Sequence, residues 1–456
     1  MKDIYDKEIK CDGSGRNMVK IFIAESVPSL NKGEMTILEG MLESFKTLGK
    51  VEVTMLSDLP QIDQPRYGTK VKIIDAKKTL LLSGKLVGHH QLFKMFISFL
   101  FLFQHLLFSI LYKISGSRAL KLMKSEIWRE YVESDVIIIG HNGTFGAGWG
   151  MLRTPVYFYY FYMPLFAKMM DKPIVLYGGC ITRFRRFRRV LEKGAKFALN
   201  RVNLITLREN VSYRNLREMG VKNDKVFVTP DLAFLLHPVS SERAKEIMVR
   251  EGIEESYRPL IGMTVTRNRT FMAFPDINPE KSYIKHNMLI AQVIDDITSR
   301  LNAFVVFVPH CIGFGDELDD RIEAKDIFQI VKNKNRVKVI TNEYAADELK
   351  GLIGQFDLFI GERIHSVVNA MSMCVPSIII DRFTDERLGI IKMIDQENAI
   401  YYVKGLDANT LILKIDEIWS EREKIKSELK SKIEIIQERA MLNGKLLKEL
   451  LESWRV

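Results

Sequence analysis

Short apolar runs recur along the chain with helical stretches between several of them, and this alternation constrains the fold more than any other feature. Residues 19–24 (VKIFIA) form such a run, and 33–48 then carry apolar residues at helical spacing up to Gly49, a C-cap residue. Further runs lie at 51–56, 136–140, 174–177, 204–206 and 226–228. A second series follows Pro238, at 260–265, 303–308, 337–340, 358–361 and 377–380. The alternation predicts an α/β fold with mostly parallel sheets covered by helices. Two series predict two Rossmann-like lobes, 19–237 and 238–420, with a boundary near 236–241. At 456 residues and 47% hydrophobic, the chain is long enough to give each lobe its own core.

The ends differ in character from the lobes. Residues 1–18 are polar and charged and lack the apolar core of a signal peptide, so they read as a disordered lead-in. Residues 421–456 are rich in Lys, Glu, Ile and Leu at helical spacing and predict an amphipathic helical tail. Cys11, Cys180, Cys311 and Cys374 are scattered without a CxxC pair, which argues against a disulfide framework or a structural zinc and fits a reducing cytoplasm.

One insert breaks the pattern. Residues 95–112 (MFISFLFLFQHLLFSILY), within a helical insert near 90–115, are apolar apart from Gln104, His105 and two serines, with Lys94 and Lys113 at the flanks. The stretch sits at the lower border for a membrane span, which takes about 17 to 25 residues. Three readings compete: a span, a helix lying on a bilayer, and a helix buried in the protein or a dimer. The two strong polar side chains near its middle place the last two ahead of a span. The runs 157–162 (YFYYFY) and 183–189 (RFRRFRR) either extend such a surface or are a packed aromatic face beside a solvated basic one. Peripheral contact with the inner face of a membrane is therefore carried as a hypothesis. The formal charge of +10 suggests an anionic partner, but no nucleic-acid reader motif is recognisable.

Candidate chemistry collects at strand exits. In the run 356–366 (FDLFIGERIHS), Arg363 and His365 stand at the end of a strand and the start of a helix. In open parallel sheets ligands bind at that edge, where helix N-termini offer free N–H groups to anions. Arg363 can fork onto a carboxylate or phosphate, and His365 can move a proton near neutral pH. The competing reading is a capping histidine beside an Arg363 paired with Glu362 or Asp357. Arg208 again follows a strand, as an anion ligand or as half of a structural ion pair. In the first β-loop-α turn Asn31 can cap the helix, Gly33 permits close backbone approach, and Glu34 is a base or a first-turn carboxylate. That turn is neither GxGxxG nor a P-loop. Smaller signals are His141 and Asn142 after 136–140, His310 after 303–308, and Arg267 and Arg269 after 260–265.

Taken in order, these pieces resemble the polysaccharide pyruvyltransferase family. They are an N-x-G-[DE] turn (Asn31, Gly33, Glu34), an R-x3-S-x3-L-x3-G segment (Arg208, Ser212, Leu216, Gly220), and a P-D-x-A-F-L segment (Pro230, Asp231, Ala233, Phe234, Leu235). An R-x-H followed by A-x5-P closes the series (Arg363, His365, Ala370, Pro376). The resemblance implies a GT-B-like architecture and phosphoenolpyruvate as co-substrate, with no metal or other cofactor. The implied acceptor is a sugar of a cell-surface polysaccharide or its lipid-linked oligosaccharide precursor, and the product a pyruvyl ketal. It further implies donor binding by Arg208 and Arg363 and catalysis by His365. Arg267 is taken as the third donor arginine and Glu34 as the base. Asn31, Gly33, His141, Asn142, His310 and Arg387 are taken as acceptor or cleft residues. Where many members carry Y-x-x-K after the last strand, this chain has DRFTDER at 381–387, with Arg387 standing in. The alternative is a GT-B-type glycosyltransferase using a nucleotide-sugar donor.

Overall fold

The computed structural model describes residues 18–76, 91–116, 118–123, 126–140, 145, 154–182, 189–313, 318–381 and 386–454. The first sheet has seven strands: β1 Met18–Ser26, β2 Lys50–Ser57, β3 Lys72–Asp75, β4 Val136–Ile139, β5 Ile174–Gly179, β6 Leu204–Leu207 and β7 Val226–Val228, in the order β3-β2-β1-β4-β5-β6-β7. The second has six: β8 Leu260–Thr264, β9 Phe304–Phe307, β10 Val337–Val339, β11 Leu358–Gly361, β12 Ser377–Asp381 and β13 Ile400–Tyr402, in the order β10-β9-β8-β11-β12-β13. All neighbouring pairs are parallel. These are two Rossmann-like lobes, each with a point where strand order reverses, between β1 and β4 and between β8 and β11.

Burial on both faces explains why the strands read as continuous apolar runs. Along β1, Ile21 and Ile23 join a core that also takes in the second lobe, while Phe22 and Ala24 join a separate core on the sheet's other face. Two edge strands, β3 and β13, have no counterpart in the sequence reading. KIID and IYY are short, and their residues are mostly half-exposed, so no buried run announces them.

The lobes are joined by packing as well as by the chain. Within the first lobe, the helix Lys32–Phe45 lies so close to the turn Leu232–Leu235 that a Cβ at Gly40 would stand 1.9 Å from the Leu232 carbonyl oxygen. The predicted tail is two helices, Arg422–Ala440 and Leu442–Trp454. The second returns to the first lobe: Gly444 abuts the Ser44 carbonyl, and Thr229 Oγ1 donates to Asn443 Oδ1 at 3.0 Å. Asn31 and Cys311 form an antiparallel bridge between lobes. On either side of it, Lys32 N–H donates to the His310 carbonyl (2.8 Å) and Ile312 N–H to that of Leu30 (2.9 Å). Residues 1–17, and with them Cys11 and nearly all of the predicted lead-in, lie outside the described residues.

Candidate active site

Both reversal points open toward one cleft. The helix Lys32–Phe45 starts beyond β1, with Asn31 as its cap: Asn31 Oδ1 accepts from Gly33 N–H (3.2 Å) and Nδ2 donates to Glu34 Oε1 (3.1 Å). The helix Ile364–Ser372 starts beyond β11, with Arg363 at the capping position. The two helices meet across the lobe boundary, where Asn369 Nδ2 lies 3.5 Å from Thr36 Oγ1. Their N-termini therefore point their free N–H groups and positive dipole ends into the same space. A cavity of about 290 Å³ occupies it, lined from the first lobe by Asn31, Gly33, Glu34 and Arg208 and from the second by His310, Arg363, His365 and Arg387.

Each lining arginine is anchored by a buried aspartate. Arg208 Nη1 donates to Asp231 Oδ2 (3.2 Å), and Arg363 Nη2 to Asp320 Oδ1 (2.6 Å). Asp381, at the end of β12, accepts from Arg269 Nη2 (2.7 Å) and Arg387 Nη2 (3.4 Å). Burial works against the charge on Asp231, yet the Arg208 guanidinium and His365 outweigh it and hold the carboxyl down to about 2. At Asp320 burial wins and raises the carboxyl, although Arg363 and the His310 and Cys311 N–H groups pull the other way. One or two N–H groups of each guanidinium are spent on these anchors, and its remaining donors are oriented by them. Arg208 Nε, fully buried, has no hydrogen-bond partner among the described residues.

Two histidines face this cationic wall. His365 Nε2 sits 3.5 Å from Asp231 Oδ2 and 3.4 Å from Arg208 Nη1. Its other ring nitrogen faces the first lobe, since a Cβ at Gly33 would stand 3.0 Å from Nδ1. His310 is buried, and burial, then the positive charge of His365 and Arg363, pushes its pKa down to about 3. It is therefore neutral. Asn369 Nδ2 lies 3.4 Å from its Nε2, and among the described residues Nδ1 has no hydrogen-bond partner.

The cleft thus brings together Asn31, Gly33, Glu34, Arg208, His310, Arg363, His365 and Arg387. Arg267 is not among its lining residues: its guanidinium lies 4.6 Å from the ring centroid of Tyr283, and Arg269 lines the cleft in its place. Both sit in the helix Arg267–Ala273, where a two-residue step turns the side chain through roughly 200°. His141 and Asn142 lie outside the described residues. The sequence reading notes Arg269 among the strand-exit residues but gives the donor role to Arg267, takes Glu362 only as a partner for Arg363, and does not single out Thr266. The signal for Arg269 was Asp381, an acidic residue ending a buried strand, which requires a cation.

Glu362 links the cleft to a buried charge network. It accepts from Thr266 N–H at 2.8 Å and lies 2.7 Å from His286 Nε2, with Glu323 3.4 Å from Nδ1. Burial opposes the charge on His286, but the two carboxylates override it and raise its pKa to about 10. A group raised from about 6.5 stabilises the fold fully below pH 6.5, and that contribution is lost as pH climbs through 10. Thermal unfolding should therefore show wild type losing midpoint between pH 7 and 10 more steeply than His286→Gln. Parallel curves would refute a charged His286.

The polysaccharide pyruvyl transferase family matches residues 31–382. The amylovoran biosynthesis protein AmsJ of Erwinia amylovora is 25% identical over 290 residues, 63% of this chain and 67% of that protein. Among solved structures, a glycosyltransferase from Rickettsia africae aligns with a TM-score of 0.56 at 13% identity, over 96% of this chain and 98% of that one. The UDP-GlcNAc 2-epimerase of Neisseria meningitidis, bound to UDP-GlcNAc, aligns at 0.55 and 13%, over 96% and 100%. At such identities these two likenesses establish the GT-B-like fold alone.

Proposed function

Since the chain belongs to the polysaccharide pyruvyl transferase family and so is a polysaccharide-modifying transferase, we propose that it moves a pyruvyl group from phosphoenolpyruvate onto two hydroxyls of one sugar of a cell-surface polysaccharide or its lipid-linked precursor. The observation that carries this reading is the convergence of Arg208, Arg269, Arg363 and Arg387 on one cleft beside His365. Phosphoenolpyruvate bears a carboxylate and a phosphate, and anchored guanidinium forks suit both.

The chemistry then divides among named atoms. His365 Nδ1 gives a proton to the methylene carbon, which becomes the methyl group, while Asp231 beside Nε2 steadies the imidazolium. A sugar hydroxyl adds at the central carbon and passes its proton to Glu34. The bond to the phosphate oxygen breaks with its electron pair on phosphate, and a second hydroxyl adds at the same carbon to close the ketal. Of the two hydroxyl protons, one restores His365 and the other leaves with phosphate as hydrogen phosphate. His310 Nδ1, without a partner among the described residues, offers a ligand one further hydrogen-bonding atom.

A thermal-shift titration tests the donor. Phosphoenolpyruvate should raise the midpoint of wild type but not of Arg363→Ala, and inorganic phosphate should do so only weakly. Protection by UDP with none by phosphoenolpyruvate would overturn the reading in favour of a nucleotide-sugar transferase.

A further inference from the structure

The helix Gln91–Ser115 is turned inside out relative to an ordinary surface helix. His105, Phe108 and Ser109 are buried, with the His105 ring 4.2 Å from that of Trp128 and 5.3 Å from that of Phe166. The outward side carries Phe103, Leu106, Leu107, Ile110 and Ile114, exposed by 63, 42, 44, 43 and 78%. Steps of three and four residues align them in one stripe, about 16 Å long at 1.5 Å per residue. The helix Thr154–Met169 packs against it and, in turn, against Arg189–Leu199, which exposes Val190 and Phe197 together with Lys193. Solvated helices do not leave contiguous apolar ridges of this kind uncovered.

Charge identifies what covers it. Residues 77–125 hold eight Lys and Arg and no Asp or Glu, and residues 183–201 hold eight and one. The whole chain is only +10, so everything outside these two stretches is net negative. Lys113, Arg118 and Lys121 are exposed at the end of the stripe or in the short helix Arg118–Met123 that packs on it, and Arg189 and Lys193 are exposed on the second helix. An apolar ridge edged by cations, with His105 and Ser109 turned toward the protein and Gln104 exposed beside the stripe, is the pattern of a helix lying in the head-group layer of an anionic membrane. Among the described residues no helix is long and apolar enough to cross one.

We propose that this face docks on an anionic bilayer, with the stripe from Phe103 to Ile114 entering the interface and the flanking Lys and Arg contacting acidic head groups. This contact is independent of the donor reading. Flotation with phosphatidylcholine vesicles, with and without phosphatidylglycerol, tests it directly. At low ionic strength wild type should float with the phosphatidylglycerol vesicles and largely stay behind with phosphatidylcholine alone. Leu106→Glu/Ile110→Glu should lose about tenfold in partition, and Lys113→Glu/Arg118→Glu/Lys121→Glu should lose the preference for acidic lipid. Because all five positions are exposed, both variants should unfold at the wild-type midpoint. Wild type left in solution with acidic vesicles, or Leu106→Glu/Ile110→Glu floating as well as wild type, would overturn the proposal. So would a dimer of wild type, without lipid binding, that this variant alone dissociates, because a second copy would then be the cover.

Discussion

His365→Ala is expected to lower turnover of phosphoenolpyruvate by about 10² to 10⁴, the usual range for loss of a positioned general acid, while donor affinity stays within a few-fold of wild type. The separation follows from geometry. His365 is held by Asp231 and Arg208 on one ring nitrogen and faces Gly33 with the other, whereas in the proposed reading the donor's negative charge falls to the arginines. Truncation removes the proton source and leaves the Arg208–Asp231 pair in place. Steady-state rates with a sugar acceptor, measured beside phosphoenolpyruvate titrations of the same variant, decide the matter. A wild-type rate would take the acid role from His365; lost affinity with unchanged turnover would make it a ligand only.

Much of the fold was legible because sheets covered on both faces write themselves as unbroken apolar runs, as in β4 (VIII) and β12 (SIIID). The edge strands β3 and β13 escaped because an edge buries less and need not be uniformly apolar. Cleft-lining residues that belong to ordered motifs, Asn31, Gly33, Arg208, Arg363 and His365, were readable as candidates before any geometry. The choice between Arg267 and Arg269 was not, because it depends on helical phase and on a partner, Asp381, over a hundred residues away. The insert was ambiguous for a related reason. Apolar residues surround the helix Gln91–Ser115, and the inner face is marked by the polar His105 and Ser109, whose burial only tertiary packing reveals. The tail's amphipathic spacing predicted helices, but its return to the first lobe depends on Gly444 admitting the Ser44 carbonyl.

Replacement of Arg208 should cost more stability than any other change in the cleft. Arg208→Met leaves Asp231, 1% exposed, as a buried charge held, among the described residues, by Ala233 N–H and the longer contact with His365, and stranding such a charge costs about 3–5 kcal/mol. Arg208→Met/Asp231→Asn, which removes both charges, should recover a large part of the loss. The pH dependence supplies the sign. In wild type the Asp231 carboxyl is lowered from 3.8 to about 2, so its stabilisation is full above pH 3.8 and is lost as pH falls through 2. Without Arg208, burial, the largest single influence on this carboxyl, pushes it upward, and mild acid should then stabilise the single variant relative to wild type. Urea unfolding at pH 4 and pH 7 measures both effects. If Arg208→Met unfolds within about 0.5 kcal/mol of wild type at pH 7, the pair is not structural and Arg208 serves the ligand alone. If the loss appears and the double variant restores it, while neither binds phosphoenolpyruvate, one guanidinium both neutralises the buried aspartate and presents its remaining donors to the anion.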